Sequence, residues 1–266
     1  VVRSTGNVRF ELVRKGGIDD APAAGASPTL PAGTEERRLL ITGDGSAAVH
    51  GVGRGDLVWN FTAIPDRAPT IALIKDPERQ ARGALRLDYK MDDDYGVTEA
   101  KATFALKDEP SASGKTPRPL FTAPDYVLTL PQARTRSGAA QTTKDLSEHP
   151  WAGGEVMLTL TARDEAGNEG RSEAREVSLP QRIFVKPVAR ALIEQRRILA
   201  LDAGTQPLVL TALEALTIAP EKFTPEAGVY LGLRSIFYEL TNAKTDDALR
   251  DVVARMWDMA VQLEDG

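Results

Sequence analysis

The sequence predicts an α+β multidomain chain in which immunoglobulin-like or fibronectin-like β-sandwich units are followed by a small all-α helical bundle. Three observations carry this. Before Pro187 apolar and polar residues alternate, as in Leu85, Leu87, Tyr89 and Met91, which is strand spacing. After it apolar residues recur at three and four, as in Leu249, Val252, Val253, Met256, Trp257, Ala260 and Leu263, which is helix spacing. The length of 266 residues allows two or three domains at roughly 100 to 200 residues each. The division that follows is 1–66, a small β unit that is either whole or an incomplete sandwich; 67–182, an immunoglobulin-like sandwich; and 183–266, a helical domain of about four helices.

In the first unit, strands are expected at Val8 to Val13, Arg38 to Thr42, Ala47 to His50 and Leu57 to Ala63. Asp20 to Gly33 reads as a long hairpin tip or disordered loop, and Pro65-Asp66-Arg67-Ala68-Pro69 as a linker. Seven strands are then expected: Thr70 to Ile74, Ala84 to Met91, Val97 to Leu106, Tyr126 to Leu130, Ala140 to Asp145, Glu155 to Arg163 and Arg171 to Leu179. Short strands with turn signals between them are the sandwich pattern, here without the Cys-Trp-Cys core of an antibody domain. The polar run Lys107 to Arg118 reads as a mobile loop. Helices are expected from Pro187 to Leu201, from near Pro207, from Pro225 with Thr224 as N-cap, and from near Asp246. The short Ala203-Gly204-Thr205 connection favours antiparallel neighbours.

Composition excludes several chemistries. Net charge is −5, from 33 basic and 38 acidic residues, and from Pro187 onward 8 basic side chains face 12 acidic ones. Neither part has the positive field of a nucleic-acid binder or a polybasic membrane patch. The absence of cysteine removes disulfides, thiolate zinc sites and cysteine nucleophiles. No run approaches the roughly 18 apolar residues of a membrane-spanning helix. The chain opens at Val1-Val2-Arg3 without methionine and stops at Gly266, and reads as a piece of a longer protein.

Two acidic turns stand out. Asp92, Asp93 and Asp94, before Tyr95-Gly96, could bind calcium, which takes six to eight oxygen ligands; they equally fit a turn in which aspartates accept from local amides and Gly96 takes positive φ. The spacing is not that of an EF-hand. Asp164-Glu165-Ala166-Gly167-Asn168 divides the same way between a metal or acid/base pair and a tight hairpin, with the hairpin favoured. Gly114-Lys115-Thr116 lacks the first glycine of a phosphate-binding loop, and Gly43-Asp44-Gly45-Ser46-Ala47-Ala48 reads as a hairpin rather than a dinucleotide site. His50 and His149 fall in different units, and His149-Pro150-Trp151 reads as a loop anchor with Trp151 plugging a sheet edge. No catalytic residue and no cofactor site is assigned. The stripe at Met256, Trp257, Met259, Ala260 and Leu263 is core, or in part a docking face for a partner or for chain beyond Gly266.

Asp66-Arg67-Ala68-Pro69-Thr70-Ile71, Asp93-Asp94-Tyr95-Gly96-Val97, Ala162 to Asn168, Ala191-Leu192-Ile193-Glu194-Gln195-Arg196-Arg197 and the Met256-Trp257-Asp258 to Gly266 ending together resemble the middle of a large proteobacterial membrane-protein family, a domain of unknown function. The resemblance implies N-terminal transmembrane helices in the parent protein, a low-complexity C-terminal tail, and a periplasmic position for this region. It carries no catalytic residues. The expectation is a non-catalytic interaction or scaffold region of a cell-envelope protein with a protein partner, the alternative being a calcium- or glycan-binding adhesion module using the Asp92 to Asp94 end.

Overall fold

The computed structural model describes residues 2–4, 11–21, 33–51, 55–131, 137–218 and 226–266. Among them the chain is mixed α+β, with strands in antiparallel sheets and four α-helices. It divides into two units, Val1–Asp66 and Arg67–Gly266.

In the first unit, β1 (Val2–Ser4) pairs with β3 (Glu35–Arg37), and β2 (Glu11–Asp20), β4 (Leu39–His50) and β5 (Leu57–Phe61) form a sheet in the order β2-β4-β5. Residues 8–10 of the first expected strand, and most of the Asp20 to Gly33 loop, lie outside the described residues. The expected hairpin at Gly43 to Ala48 is instead the middle of β4, an uninterrupted twelve-residue strand. The glycines serve a close crossing. The register shifts here: Gly16 pairs with Gly45 and Ile18 with Ile41, so Thr42, Gly43 and Asp44 of β4 stand opposite the single Gly17 of β2, Gly16 has φ +77°, and a Cβ on Gly17 would sit 2.5 Å from the Gly43 nitrogen. Only residues without a side chain let the backbones approach so closely.

In the second unit, two antiparallel sheets bury their inner faces in one core. One comprises β6 (Thr70–Leu73), β7 (Glu78–Arg79), β8 (Ala84–Asp92) and β11 (Ser137–Asp145); the other β9 (Val97–Leu106), β10 (Tyr126–Val127), β12 (Glu155–Asp164), β13 (Glu169–Arg171) and β14 (Arg175–Ser178). The alternation in β8 turns Leu85, Leu87, Tyr89 and Met91 inward against Ala102, Phe104, Val156, Leu158 and Leu160. Two buried tyrosines keep their hydroxyls satisfied: Tyr126 donates to the Leu85 carbonyl oxygen at 2.6 Å, and Tyr89 to that of Thr129 at 2.5 Å. The expected last strand is two, β13 and β14, both paired with β12; Ser172, between them, accepts from the Leu160 amide at 2.9 Å through its hydroxyl.

The helices are α1 (Pro187–Leu201), α2 (Gln206–Leu216), α3 (Ala227–Asn242) and α4 (Asp246–Asp265). Pro187 stands in the first turn of α1, where its missing N–H is harmless, and Thr245 caps α4 by accepting from the Ala248 amide at 3.2 Å. The expected start of the third helix at Thr224 and Pro225 lies outside the described residues; α3 has Glu226 at its N-cap. Leu192, Leu199, Leu213, Leu233 and Leu240 meet in a second apolar core, and burying each such side chain is worth about 1.5–3 kcal/mol. Among the described residues no helix is long and apolar enough to cross a membrane.

Candidate functional site: the joint and the groove of the second unit

Between β9 and β10 the chain leaves the sheets and crosses onto the helices. This run, expected to be mobile, is tied down. Asp202, at the end of α1 and 3% exposed, accepts from the hydroxyls of Ser111 and Ser113 (2.6 Å for Ser113), from the Arg118 amide at 3.2 Å and from the Gly204 amide at 2.8 Å. The Ala203 amide donates to the Arg118 carbonyl oxygen and the Leu120 amide to that of Ala200, each at 2.9 Å. Arg118 pairs with Asp246 at 2.6 Å, and Arg250 Nε donates to the Leu120 carbonyl oxygen at 2.6 Å. Leu120 is buried in the helical core, and Phe121 packs against both cores. Burial pushes the Asp202 carboxyl up, but its four donors together outweigh that and hold it below the usual carboxylate range.

A second tie runs from α1 to the loop before β12. Arg196, 5% exposed, donates through Nη2 to the Glu148 carbonyl oxygen at 2.8 Å, and its guanidinium lies 4.7 Å from the centre of the Trp257 ring. Burial pulls its pKa down to about 10, opposed by Glu148 and Asp258. His149 uses Nδ1 to accept from the Trp151 amide at 3.1 Å, and burial, then the charges of Arg196 and Lys144, hold its imidazole below its ordinary pKa. Trp151 is buried, donating from Nε1 to the Phe121 carbonyl oxygen at 3.1 Å. A third tie closes the helices: Glu264, near the end of α4, accepts from the Val185 and Lys186 amides at 2.8 and 3.0 Å, placing a carboxylate at the start of α1 where the helix dipole favours it.

The apolar stripe of α4 is mostly covered: Met256 and Ala260 are fully buried, and Trp257 packs edge-on against Phe184 at 5.8 Å. Its end, at Met259 and Leu263, instead lines a groove of about 670 Å³ between α4 and α3, to which α3 contributes Gly228, Val229, Gly232 and Ile236. Lys186, Glu226, Arg255 and Asp258 also line it, with no excess of either sign.

The two acidic turns fold as turns. Asp93, 6% exposed, accepts through Oδ2 from the Tyr95 and Gly96 amides at 3.1 and 2.5 Å, and Gly96 has φ +104°. Asp92 is exposed, while Oδ1 of Asp93 and Oδ1 of Asp94 are buried without a hydrogen-bond partner. Among the described residues no group of three or more His, Asp or Glu could hold a metal ion. Asp164 accepts from the Asn168 amide and side-chain nitrogen, each at 2.8 Å, with Gly167 at φ +90°. Gly114, at φ +73°, donates to the Ser111 carbonyl oxygen at 2.8 Å and closes a turn. His50 pairs with Asp56 at 2.7 Å in the first unit.

The polar residues that tie the sheets to the helices, Asp202, Arg196 and Arg250, and Glu264, which closes α4 onto the start of α1, escape sequence reading. Only Arg196 left a signal: it falls on the face of α1 shared by Leu192 and Leu199, where a charge needs a buried reason.

No curated protein matches this chain. A solved structure of astrotactin-2, a conserved vertebrate-specific and perforin-like membrane protein involved in neuronal development, is 13% identical over 75% of this chain. The chain spans 38% of that protein's length, and the TM-score of 0.28 is too low for the likeness to carry an argument. The model of one family, described as a domain of unknown function (DUF4175), matches residues 1–266. The chain belongs to the DUF4175 family.

Proposed function

We propose that this region is a non-catalytic interaction or scaffold part of a membrane-anchored cell-envelope protein, positioned on the periplasmic side. In this reading the two facing sheets are an immunoglobulin-like sandwich that serves as a spacer, the helices are a bundle that presents the docking face, and the partner is a protein. The observation that carries the reading is the commitment of the buried charged groups Asp202 and Arg196 to backbone and hydroxyl partners across the joint, which makes the sheets and helices one stiff body. A stiff body with a groove lined by both apolar and charged side chains suits holding a protein partner at a fixed distance. The envelope position rests on the resemblance of the chain's motifs to a membrane-protein family.

The test is photo-crosslinking from Gln262, at the groove, in the intact protein in its own envelope, read by mass spectrometry. The reading expects one reproducible protein partner, lost when Gly228→Leu fills the groove. Recovery of no reproducible partner contradicts it.

A further inference from the structure

The two outer strands of the first unit's three-stranded sheet are built differently. Outermost on one side, β2 carries Glu11, Arg14, Lys15, Asp19 and Asp20 and a break in its regular pairing at Gly16 and Gly17, features that keep an edge from pairing with another chain. Outermost on the other, β5 has neither. Leu57-Val58-Trp59-Asn60-Phe61 is uncharged, and the sequence stays uncharged from there until Asp66. Among the described residues β5 pairs only with β4. Leu57, Val58 and Trp59 are 51%, 57% and 41% exposed, so side chains on both faces of the strand stand in water.

We infer that β5 is a self-pairing edge, through which a second copy of this chain adds its own β5 in antiparallel register centred on Trp59. A free strand edge offers alternating N–H and C=O groups that only another extended strand satisfies along its length. The choice of a second copy follows from charge and register. Centred on Trp59, Leu57 faces Phe61, Val58 faces Asn60 and Asp56 faces Thr62, so apolar side chains meet across the pair and no carboxylate meets another. Two-fold pairing also uses up both edges, giving a closed dimer rather than a growing ribbon. This inference is independent of the groove at the other end of the chain.

A contact of five residues a side lies in the small, weak class of interfaces, so dimer should accumulate over about 1 to 100 µM chain. The absence of cysteine gives a clean trap. In Trp59→Cys the two thiols stand directly opposite, where Cα atoms are about 4.5–5.5 Å apart and a disulfide can close. In Leu57→Cys they are four strand positions apart, about 13 Å, and cannot. Sedimentation equilibrium on residues 1–266 should show a monomer–dimer equilibrium that Val58→Lys weakens at least tenfold. Mild oxidation should trap Trp59→Cys as a dimer and leave Leu57→Cys monomeric. A chain that is monomeric at 100 µM and untrapped at Trp59→Cys overturns the inference. So does a dimer that Val58→Lys leaves unchanged, or equal trapping at both positions. Far-ultraviolet circular dichroism on each variant separates loss of pairing from loss of fold, and the trap reads out even where Val58→Lys does not fold.

Discussion

Arg196 of α1 and Trp257 of α4 meet face to cation at 4.7 Å, while the same guanidinium holds the Glu148 carbonyl oxygen at 2.8 Å. One side chain thus joins two helices to the loop that leads into β12. Its Nε has no partner, so the position is held by stacking and by the bonds of its terminal nitrogens. Arg196→Met keeps the stem but removes the donor to the Glu148 carbonyl oxygen and the charge that stacks on Trp257, and should lower stability in urea by about 1–2 kcal/mol. Arg196→Lys, which has neither the planar fork nor the stacking face, should recover only part of this.

Asp202→Ala strips the acceptor from two serine hydroxyls and two amides at once and should cost about 2–3 kcal/mol, with Asp202→Asn losing less because one oxygen remains. The same group makes a pH prediction. Its folded pKa lies below the unfolded value, so its contribution is fully present above about pH 4 and is lost as pH falls through the folded pKa. Asp164, whose burial is outweighed by bonds from Asn168 and neighbouring amides, shifts the same way. Urea midpoints should fall modestly from pH 7 to 5, as the unfolded chain protonates His149 before the fold does, and fall again below pH 4, where Asp202→Asn should flatten part of the second fall.

Two glycines separate crowding from helix propensity. A Cβ on Gly170 would overlap the Pro69 carbonyl oxygen, whereas one on Gly228 meets nothing within 4 Å. Gly170→Ala should destabilise by more than about 2 kcal/mol through forced backbone shifts. Gly228→Ala, in the first turns of α3, should stabilise by about 0.5–1 kcal/mol. Paired thermal melts decide both signs.

For the acidic turn, Asp93→Ala should lower the melting temperature, because Oδ2 closes the turn onto Tyr95 and Gly96, and Asp92→Ala should leave it unchanged. Millimolar calcium should not raise it. A rise that Asp94→Ala abolishes would assign the unpaired oxygens of this turn as ligands, since a ligand at 100 times its Kd adds about 2.7 kcal/mol.

The period change at Pro187 made the strands and helices legible, because β8, β9, β12 and α4 each bury one face and carry the pattern of doing so. What stayed hidden depends on partners distant in sequence. Gly43 and Gly45 looked like a turn because close approach to Gly16 and Gly17 leaves no local trace. Ser111 and Ser113 looked like a solvated loop because their acceptor lies 89 or more positions away. The groove was half visible: the α4 stripe marked Met259 and Leu263, but the glycines that open its other wall read as ordinary helix positions.

The central claim is that sheets and helices of residues 67–266 are one cooperative body locked through Asp202 and Arg196. Native-state hydrogen exchange in increasing urea, resolved to the amides of β12 and α4, tests it most directly. The account predicts that both sets open with the same free energy and the same urea dependence, and that Asp202→Ala lowers both equally. Helical amides that exchange through an opening that leaves β12 protected would contradict it.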